Sequence, residues 1–248
     1  MMLYDKLNIP ASCAVGNTIF KKQFYDNVDL SKADKDLFTD AVSKVTWRYC
    51  LKPETINIQS YKDEERDYPE IEMLEVTLSA DTKIRRIAEI VMRAIPYPMI
   101  LIFSLDDKFQ LWAAQQRINQ TDSTKNTIDE FINTDWIDME HLSAWDENLL
   151  NDIGIQNFSH ANFYRFYSDF IDKIHLYNLQ CRTKSVKLEM TAQQAKDRLN
   201  KLDEIDAQIA DLRAQMKKET QFNRRVEINM EIKKLEGERK ELEKKRTD

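Results

Sequence analysis

The C-terminal stretch, residues 191–248, constrains the fold more than any other part of the chain. It contains no proline, a single glycine (Gly237) and a single aromatic residue (Phe222), together with 15 basic and 13 acidic residues. Good helix formers without internal breakers, and with many charges, predict a long exposed helix or a helical hairpin. We expect such an element to contact another helix, another copy of the chain or a larger assembly.

Apolar residues in this stretch step by three and four positions, which is the spacing of a helix seam. The spacing holds over residues 202–216, fails over 221–226 and then resumes. Such a break indicates either a hairpin or a stutter in one long helix. We predict a coiled-coil hairpin that turns near residues 220–223, because Asn223 is a favourable N-cap for a second helix. The seam residues expected to face a partner helix are Leu202, Ile205, Ile209, Leu212, Met216, Ile228, Ile232, Leu235 and Leu242.

The rest of the chain mixes helix and strand signals. Ser31 and Asp34 have the spacing of a helix-capping pair, and apolar residues follow at helical spacing as far as Tyr49, before Pro53. Residues 106–108 indicate a turn. The apolar residues in 127–136 fit both the period of a helix and the period of a strand. The strands predicted after the first helix cover 55–61, 71–78, 99–105 and 109–114, and further helices are predicted at 83–95, 139–153 and 158–179.

Together these elements predict an α+β fold. A mixed β-sheet body with packed helices covers residues 1–185, and the C-terminal α-helical coiled-coil hairpin covers residues 186–248. Residues 1–190 carry 22 basic and 30 acidic residues. Such an acidic body has no electrostatic footprint for nonspecific DNA binding.

The composition excludes several classes of protein. Three glycines in the whole chain cannot build a phosphate-binding loop, which excludes a helicase, ATPase or methyltransferase with the usual nucleotide site. Cys13, Cys50 and Cys181 are odd in number and far apart, so they make neither a disulfide framework nor a zinc pattern. No apolar run approaches the roughly 20 residues of a membrane span, and no apolar signal core follows the N-terminus. We expect a cytoplasmic protein without a cofactor.

Nuclease chemistry has only weak candidates. A nuclease of the PD-(D/E)XK type holds Mg²⁺ with an acid on one strand and an acid-x-lysine pair on the next. Glu75 lies on a suitable strand, but Thr77 stands where the lysine is needed. Asp81 and Lys83 have the right spacing but follow the strand, where an exposed turn is the simpler interpretation. The sequence therefore favours a protein without catalytic activity, and a nuclease is kept as an alternative.

Four arginines are candidates for a nucleic-acid contact. Arg85, Arg86 and Arg93 share the predicted helix 83–95, and Arg117 follows the last predicted hairpin strand. They could line a phosphate-binding surface. The alternative is a solvated helix face that forms ion pairs with nearby acids.

Two segments carry a family resemblance. Residues 49–58, Tyr-Cys-Leu-Lys-Pro-Glu-Thr-Ile-Asn-Ile, and residues 86–98, Arg-Ile-Ala-Glu-Ile-Val-Met-Arg-Ala-Ile-Pro-Tyr-Pro, resemble the bacterial family catalogued as domain of unknown function 4391. Residues 3–10 and 221–227 are similar to it as well. The resemblance implies a prokaryotic origin and a gene near helicases and DNA methyltransferases of type III restriction-like and other phage-defence loci. It implies no catalytic residues.

We therefore expect a noncatalytic accessory or adaptor subunit of a prokaryotic DNA-targeting defence system. Its coiled coil would bind a larger helicase, methyltransferase or nuclease subunit, and DNA would be reached through that complex. The first alternative is a PD-(D/E)XK-like or degenerate metal-dependent nuclease domain. The second is a coiled-coil homodimer that acts alone.

Overall fold

The computed structural model describes residues 3–119, 126–185 and 188–244. The chain divides into two compact units, Met1–Ile174 and His175–Asp248. The domain boundary predicted from the sequence lies further along, between residues 185 and 186, and stays a prediction for the limit of an independently folding domain. Within the described ranges, no helix is both long and apolar enough to cross a membrane.

The first unit has the predicted α+β character. Two short 3₁₀ turns, Ala11–Cys13 and Ile155–Asn157, accompany the regular elements. In chain order these elements are α1 (Leu3–Leu7), β1 (Ala14–Ile19), α2 (Lys21–Asn27), α3 (Lys32–Ala41), β2 (Val42–Leu51), α4 (Pro53–Ile56), β3 (Tyr61–Lys62), β4 (Asp67–Tyr68), β5 (Ile71–Leu78), α5 (Ile84–Ala94), β6 (Met99–Leu105), β7 (Lys108–Ile118), β8 (Asn126–Asn133), β9 (Ile137–Asp138), α6 (Ala144–Asp152) and α7 (Phe163–Thr183), which runs on into the second unit.

Seven strands form one mixed sheet. Their order is β1-β2-β5-β6-β7-β8, with β9 beside β7, while β3 and β4 form a separate hairpin. Every pair in the main sheet is antiparallel except β5 with β6. Those two strands are parallel because α5 carries the chain back to the starting end of the sheet. The edge strand β1 contains a bulge between Ala14 and Asn17, where Gly16 adopts a φ of 74°.

Helices cover the central strands of the sheet. Phe38 of α3 and Ile87 of α5 are fully buried in one core cluster with Leu74 and Phe103 of the sheet. Helix α7 buries Phe163, Phe166 and Phe170 completely, as predicted for a core helix, and its Tyr167 hydroxyl donates to the Met99 carbonyl at 2.7 Å. The same hydroxyl accepts from the backbone N–H of Ala114, so one side chain links α7 to β6 and β7.

Two predicted elements are wrong. The helix that begins after Ser31 ends at Ala41 and does not continue to Tyr49, because residues 42–51 pair on both sides as β2. Val42, Val45 and Thr46 are β-branched and fit a strand, although their spacing also suited a helix. The strand predicted at 55–61 is also wrong, since Pro53 opens the short helix α4, where its fixed φ and missing N–H are tolerated.

Most other predictions are confirmed. The Ser31–Asp34 capping box is present, and β5, α5, β6 and β7 lie where their patterns placed them. The ambiguous segment 127–136 contributes strand β8. The helix predicted at 139–153 starts only at Ala144, because Ser143 and Asp146 form a capping box there.

The second unit contains the end of α7 together with α8 (Ala192–Lys218) and α9 (Phe222–Lys244). Three contacts join α8 and α9, and as the residue number in α8 increases, the number of its partner in α9 decreases. Arg198 Nε donates to the Leu242 carbonyl at 2.6 Å, Asp206 pairs with Arg239 at 3.1 Å, and Arg213 pairs with Glu236 at 2.8 Å. The two helices are therefore antiparallel, which confirms the hairpin. Its second helix begins at Phe222, so Asn223 lies inside the first turn and is not the N-cap.

The predicted seam residues pack against one another inside the hairpin. Ile205, Ile209 and Ile232 form its buried centre, with Ile228 and Leu235 partly buried against them. Leu202 instead packs with Leu179 and Ala195 near the end of α7. The remaining members of the central cluster are Leu212, Met216 and Leu242.

Candidate functional sites

A cavity of about 580 Å³ lies between the first strands of the sheet, α2 and the end of α5. We call it the edge pocket. Its floor includes Phe24 and Leu74, which belong to the core. Its polar and aromatic lining residues are Asn17, Thr18, Gln23, Asn27, Trp47, Glu70, Glu72 and Tyr97.

A bulge in β2 shapes the centre of the edge pocket. Successive side chains of a strand point to opposite faces, so Trp47 and Cys50 would normally lie on different faces. The register between β2 and β5 shifts between Trp47 and Tyr49, and this extra residue returns Cys50 to the face of Trp47. Both side chains consequently reach Glu72 of β5. Trp47 Nε1 donates to its Oε2 at 2.6 Å, and the Cys50 thiol donates to its Oε1 at 3.4 Å.

The Glu72 carboxyl is buried, with 4% of the residue exposed. Burial raises its pKa from the ordinary 4.5 to about 7, against the opposing hydrogen bonds from Cys50 and Trp47, and the neighbouring Glu70 raises it further. Lys52 forms its ion pair with Glu70, at 3.4 Å. Within the described ranges no Lys, Arg or His side chain forms an ion pair with Glu72.

Cys50, Glu70 and Glu72 are the residues that could hold a metal ion. One ligand atom of each lies within 4.8 Å of the others. The thiol is poorly prepared for this role, because burial and the charge of Glu72 raise the pKa of Cys50 to about 12. A metal ion would also have to displace the hydrogen bonds that Trp47 and Cys50 donate to Glu72. The donor set therefore fits a metal ion poorly.

The three nuclease candidates, Glu75, Asp81 and Lys83, do not form one cluster of hydrogen bonds. Glu75 accepts from Tyr4 Oη at 2.7 Å and from Arg48 Nε at 2.6 Å. Burial favours a higher pKa for Glu75, but its hydrogen bonds with Tyr4, Ser104 and Arg48 outweigh it, so the pKa is lowered.

Asp81 and Lys83 occupy the exposed loop before α5, as the turn interpretation predicted. Asp81 accepts from Trp136 Nε1 at 3.1 Å, and Lys83 has a positive φ of 46°. Glu75 is hydrogen-bonded to Tyr4 and Arg48, whereas Asp81 is hydrogen-bonded to Trp136.

Three of the four candidate arginines form ion pairs. Arg86 pairs with Asp34 at 2.7 Å and with Glu89 at 3.0 Å. Arg117 pairs with Asp129 at 2.8 Å. Arg85 lies 3.7 Å from Glu89 and 5.6 Å from the Phe131 ring centre, while Arg93 is exposed at the end of α5. These acids offset the positive charge that a phosphate would require.

A second candidate site lies on the hairpin. Phe222, Val226 and Met230 are 77%, 42% and 66% exposed, and their spacing of four places them on one face of α9. Because a helix turns about 100° per residue, this face lies roughly opposite Ile228 and Ile232, which pack against α8. We call these three residues the outer stripe. Helix α9 is therefore apolar on two faces, and the residues that the structure describes cover only the face that packs against α8.

The hairpin turn beside the outer stripe is basic. Residues 216–226 contain Lys217, Lys218, Arg224 and Arg225 but only one acid, Glu219. All four basic residues are exposed. The outer stripe therefore offers an apolar surface with a positively charged border.

Sequence reasoning did not identify either site. Glu72 reads as one side of an alternating strand, and only the bulge in β2 brings Cys50 and Trp47 to it. A signal was available, because the acidic residues Glu72 and Glu75 interrupt a strand whose other residues are apolar except for Thr77. The outer stripe also has a signal in its spacing of four, but this signal overlaps the interruption of the seam at 221–226.

The segments that carry the family resemblance meet at the edge pocket. Residues 86–98 supply the lining residues Ala94, Ile95 and Tyr97. Residues 49–58 supply Cys50 and Lys52, which contact the lining residues Glu72 and Glu70. No curated protein and no solved structure matches the chain. A family model does match, over residues 7–238. The chain therefore belongs to the family described as Domain of unknown function (DUF4391).

Proposed function

We propose that this protein is a noncatalytic adaptor subunit that binds a larger partner protein through its C-terminal hairpin. The outer stripe carries the proposal, because Phe222 and Met230 remain exposed although the seam of the hairpin is already filled. Fully burying a side chain of this size contributes about 1.5–3 kcal/mol. Two such residues on one face, about two helical turns apart, give a partner helix a sizeable favourable contact.

The charge beside the stripe favours an acidic amphipathic helix as the partner segment. Its apolar residues would pack on Phe222, Val226 and Met230, and its acids would face the basic turn. A second copy of the hairpin would bring the four basic residues of each turn towards one another. Like charges oppose that arrangement, so the homodimer is the weaker alternative.

The family resemblance supports a setting for this function. We propose that the partner is a helicase, methyltransferase or nuclease subunit of a prokaryotic DNA-targeting defence system in the cytoplasm. DNA would then be contacted by the complex. The nuclease alternative is weaker, because the best-placed acid, Glu75, is engaged by Arg48 and Tyr4.

Photo-crosslinking in the host cell tests the adaptor proposal. A photoreactive amino acid replaces Val226 in one variant and Glu231, exposed on another face of α9, in the control variant. We expect position 226 alone to crosslink to one heterologous protein. Crosslinks to a second copy would support the homodimer, and equal crosslinking from both positions would contradict the outer stripe as a docking surface.

Binding to the purified crosslinked protein is the second stage. Phe222→Ser with Met230→Ser should weaken its Kd at least about tenfold, which corresponds to about 1.4 kcal/mol. Glu231→Ser is the matched control and should leave the Kd unchanged. An unchanged Kd in the double variant would sink the proposal even if a crosslink had been found.

A further inference from the structure

The edge pocket has the size of a small-molecule site and a lining that includes two carboxyl groups. Its volume of about 580 Å³ falls within the roughly 300–1,000 Å³ of ligand pockets. Glu70 and Glu72 contribute carboxylates, and Asn17, Gln23 and Asn27 contribute side-chain amides. None of the described residues that line it is Lys or Arg. Because amides both donate and accept, the two carboxyl groups set the preference of the pocket, and they favour a ligand that carries positive charge.

Among the described residues no Lys, Arg or His forms an ion pair with Glu72, and the nearby Lys52 pairs with Glu70 at 3.4 Å. The Trp47 indole and the Cys50 thiol, which donate hydrogen bonds to Glu72, are both neutral. Each carboxylate oxygen can accept two hydrogen bonds, and the contacts with Trp47, Cys50 and Glu70 leave room for one more. A buried carboxylate without a cation is costly, and a second carboxylate next to it adds repulsion. Glu72 is 4% exposed and lines the cavity, so a cation bound in the cavity could contact its carboxyl group.

Aromatic residues complete the lining. Trp47 and Tyr97 both border the cavity, and aromatic faces attract ammonium and guanidinium groups. A divalent metal ion would need the Cys50 thiolate or the loss of existing hydrogen bonds to Glu72. An organic cation needs neither, because it can donate to the unused lone pair of Glu72.

We propose that the edge pocket binds an organic cation whose ammonium or guanidinium group lies against Glu70 and Glu72. A free amine or guanidine can supply this group, and so can a Lys or Arg side chain presented by a protein. The inference is independent of the adaptor function, because all residues that line the pocket belong to the first unit and none to the hairpin. Disruption of the outer stripe should therefore leave cation binding intact.

Calorimetry and thermal unfolding of the full chain test this inference. Agmatine is the free probe, acetyl-glycyl-arginyl-glycinamide is the side-chain probe, and 1,4-butanediol is the neutral control. We expect saturable binding and a raised Tm with agmatine, the peptide or both, and neither effect with butanediol. Binding of agmatine would indicate a free small cation, and binding of the peptide alone would indicate a presented side chain.

Matched variants locate the site. Glu70 is only partly buried, so Glu70→Gln should fold and should weaken binding at least about tenfold. Glu72→Gln, which keeps an acceptor but loses the charge, should act in the same direction. Glu54→Gln removes an exposed acid outside the pocket lining and should change nothing. Failure of both cationic probes to bind would overturn the inference, as would binding that survives Glu70→Gln and Glu72→Gln. Binding of Zn²⁺ or Mn²⁺ with no binding of either probe would also overturn it, in favour of a metal site.

Discussion

Arg86 of α5 donates two hydrogen bonds to Asp34 in the first turn of α3, from Nε to Oδ1 at 2.7 Å and from Nη2 to Oδ2 at 2.9 Å. Asp34 also accepts from the backbone N–H of Ser31 and so helps to cap α3. Hydrogen bonds from Arg86, followed by those from Ser31, hold the pKa of Asp34 well below its ordinary value. One carboxylate thus links the start of α3 to the middle of the body.

Arg86→Ala should therefore destabilise the first unit. We expect a loss of about 1–2 kcal/mol in urea unfolding, because a two-nitrogen contact to a carboxylate is stronger than an ordinary surface pair. Arg85→Ala is the control, since Arg85 is more exposed and lies 3.7 Å from Glu89, and it should cost less than about 0.5 kcal/mol. The pKa of Asp34 is lowered by folding, so the effect of Arg86→Ala should shrink as the pH falls below the ordinary pKa of 3.8. Equal losses in the two variants would contradict this assignment.

Glu72 should make the stability of the first unit fall with rising pH. Its pKa is raised to about 7 by folding, so the folded chain holds this proton more tightly than the unfolded chain. The stabilising effect is complete below the ordinary pKa of 4.5 and is lost as the pH rises through 7. Glu70, Cys50 and Lys52 surround the group and contribute to the size of the effect.

Glu72→Gln tests this pH dependence. Urea unfolding at several pH values should show that the variant loses less stability between pH 4.5 and 7 than the parent, by on the order of 2 kcal/mol. Glu54→Gln, at an exposed position, should follow the parent. Parallel curves for parent and Glu72→Gln would show that other groups cause the decline.

Ile209→Asp should unfold the hairpin. Ile209 is 5% exposed and packs with Ile205 and Ile232, so an aspartate there buries a charge without a partner, at a cost of several kcal/mol. Ala210→Asp places the same charge on the neighbouring exposed position and should be tolerated. Circular dichroism should show a loss of helix signal in the first variant only, with the cooperative transition of the first unit preserved. Equal helix content in both variants would show that the seam does not hold the hairpin together.

A fragment that ends at residue 185 should keep a cooperative thermal transition. The core that Phe163, Phe166 and Phe170 help to fill lies within Met1–Ile174. The fragment would, however, expose Leu176 and Leu179, which in the full chain pack in a cluster with Ala195 and Leu202. Replacing both leucines with serine should therefore raise its solubility. A soluble fragment that melts without cooperativity would show that the first unit needs the hairpin to complete its fold.

The purified protein should not cleave DNA in the presence of Mg²⁺ or Mn²⁺. Glu75 is engaged by Arg48 and Tyr4, and Asp81 lies in an exposed loop where it accepts from Trp136. Asp81→Ala and Lys83→Ala should each change the free energy of unfolding by no more than about 0.5 kcal/mol. Cleavage that disappears in Asp81→Ala would promote the nuclease to the first place among the proposed functions.

Local signals were sufficient for the elements whose pattern fits a single period. The Ser31–Asp34 capping box, the helix α5 and the seam of the hairpin followed from spacing alone. The pattern misled where one sequence satisfied two periods. The helical spacing of α3 continues through Val42, Val45 and Tyr49. These residues nevertheless form a strand, because β2 pairs with β1 and β5, which are distant in the sequence.

The candidate sites depend on geometry that spacing does not encode. Trp47, Cys50 and Glu72 meet only because the register of β2 shifts by one residue, and no local pattern marks that shift. Ion pairs are equally difficult to predict from spacing, since Arg86 and Asp34 are 52 residues apart in the sequence. Spacing predicted which face of α9 packs inside the hairpin, but it did not predict that Phe222, Val226 and Met230 on the other face stay exposed.

The bulge at Gly16 has a consequence for the whole sheet. Among the described strands β1 pairs only with β2, so its other side carries backbone groups that could template a strand from a neighbouring molecule. The irregular register between Ala14 and Asn17, with Gly16 at a φ of 74°, twists this rim and interrupts the regular ladder that a foreign strand needs. The conformation of Gly16 therefore makes the pairing of β1 with a strand of a neighbouring molecule less favourable.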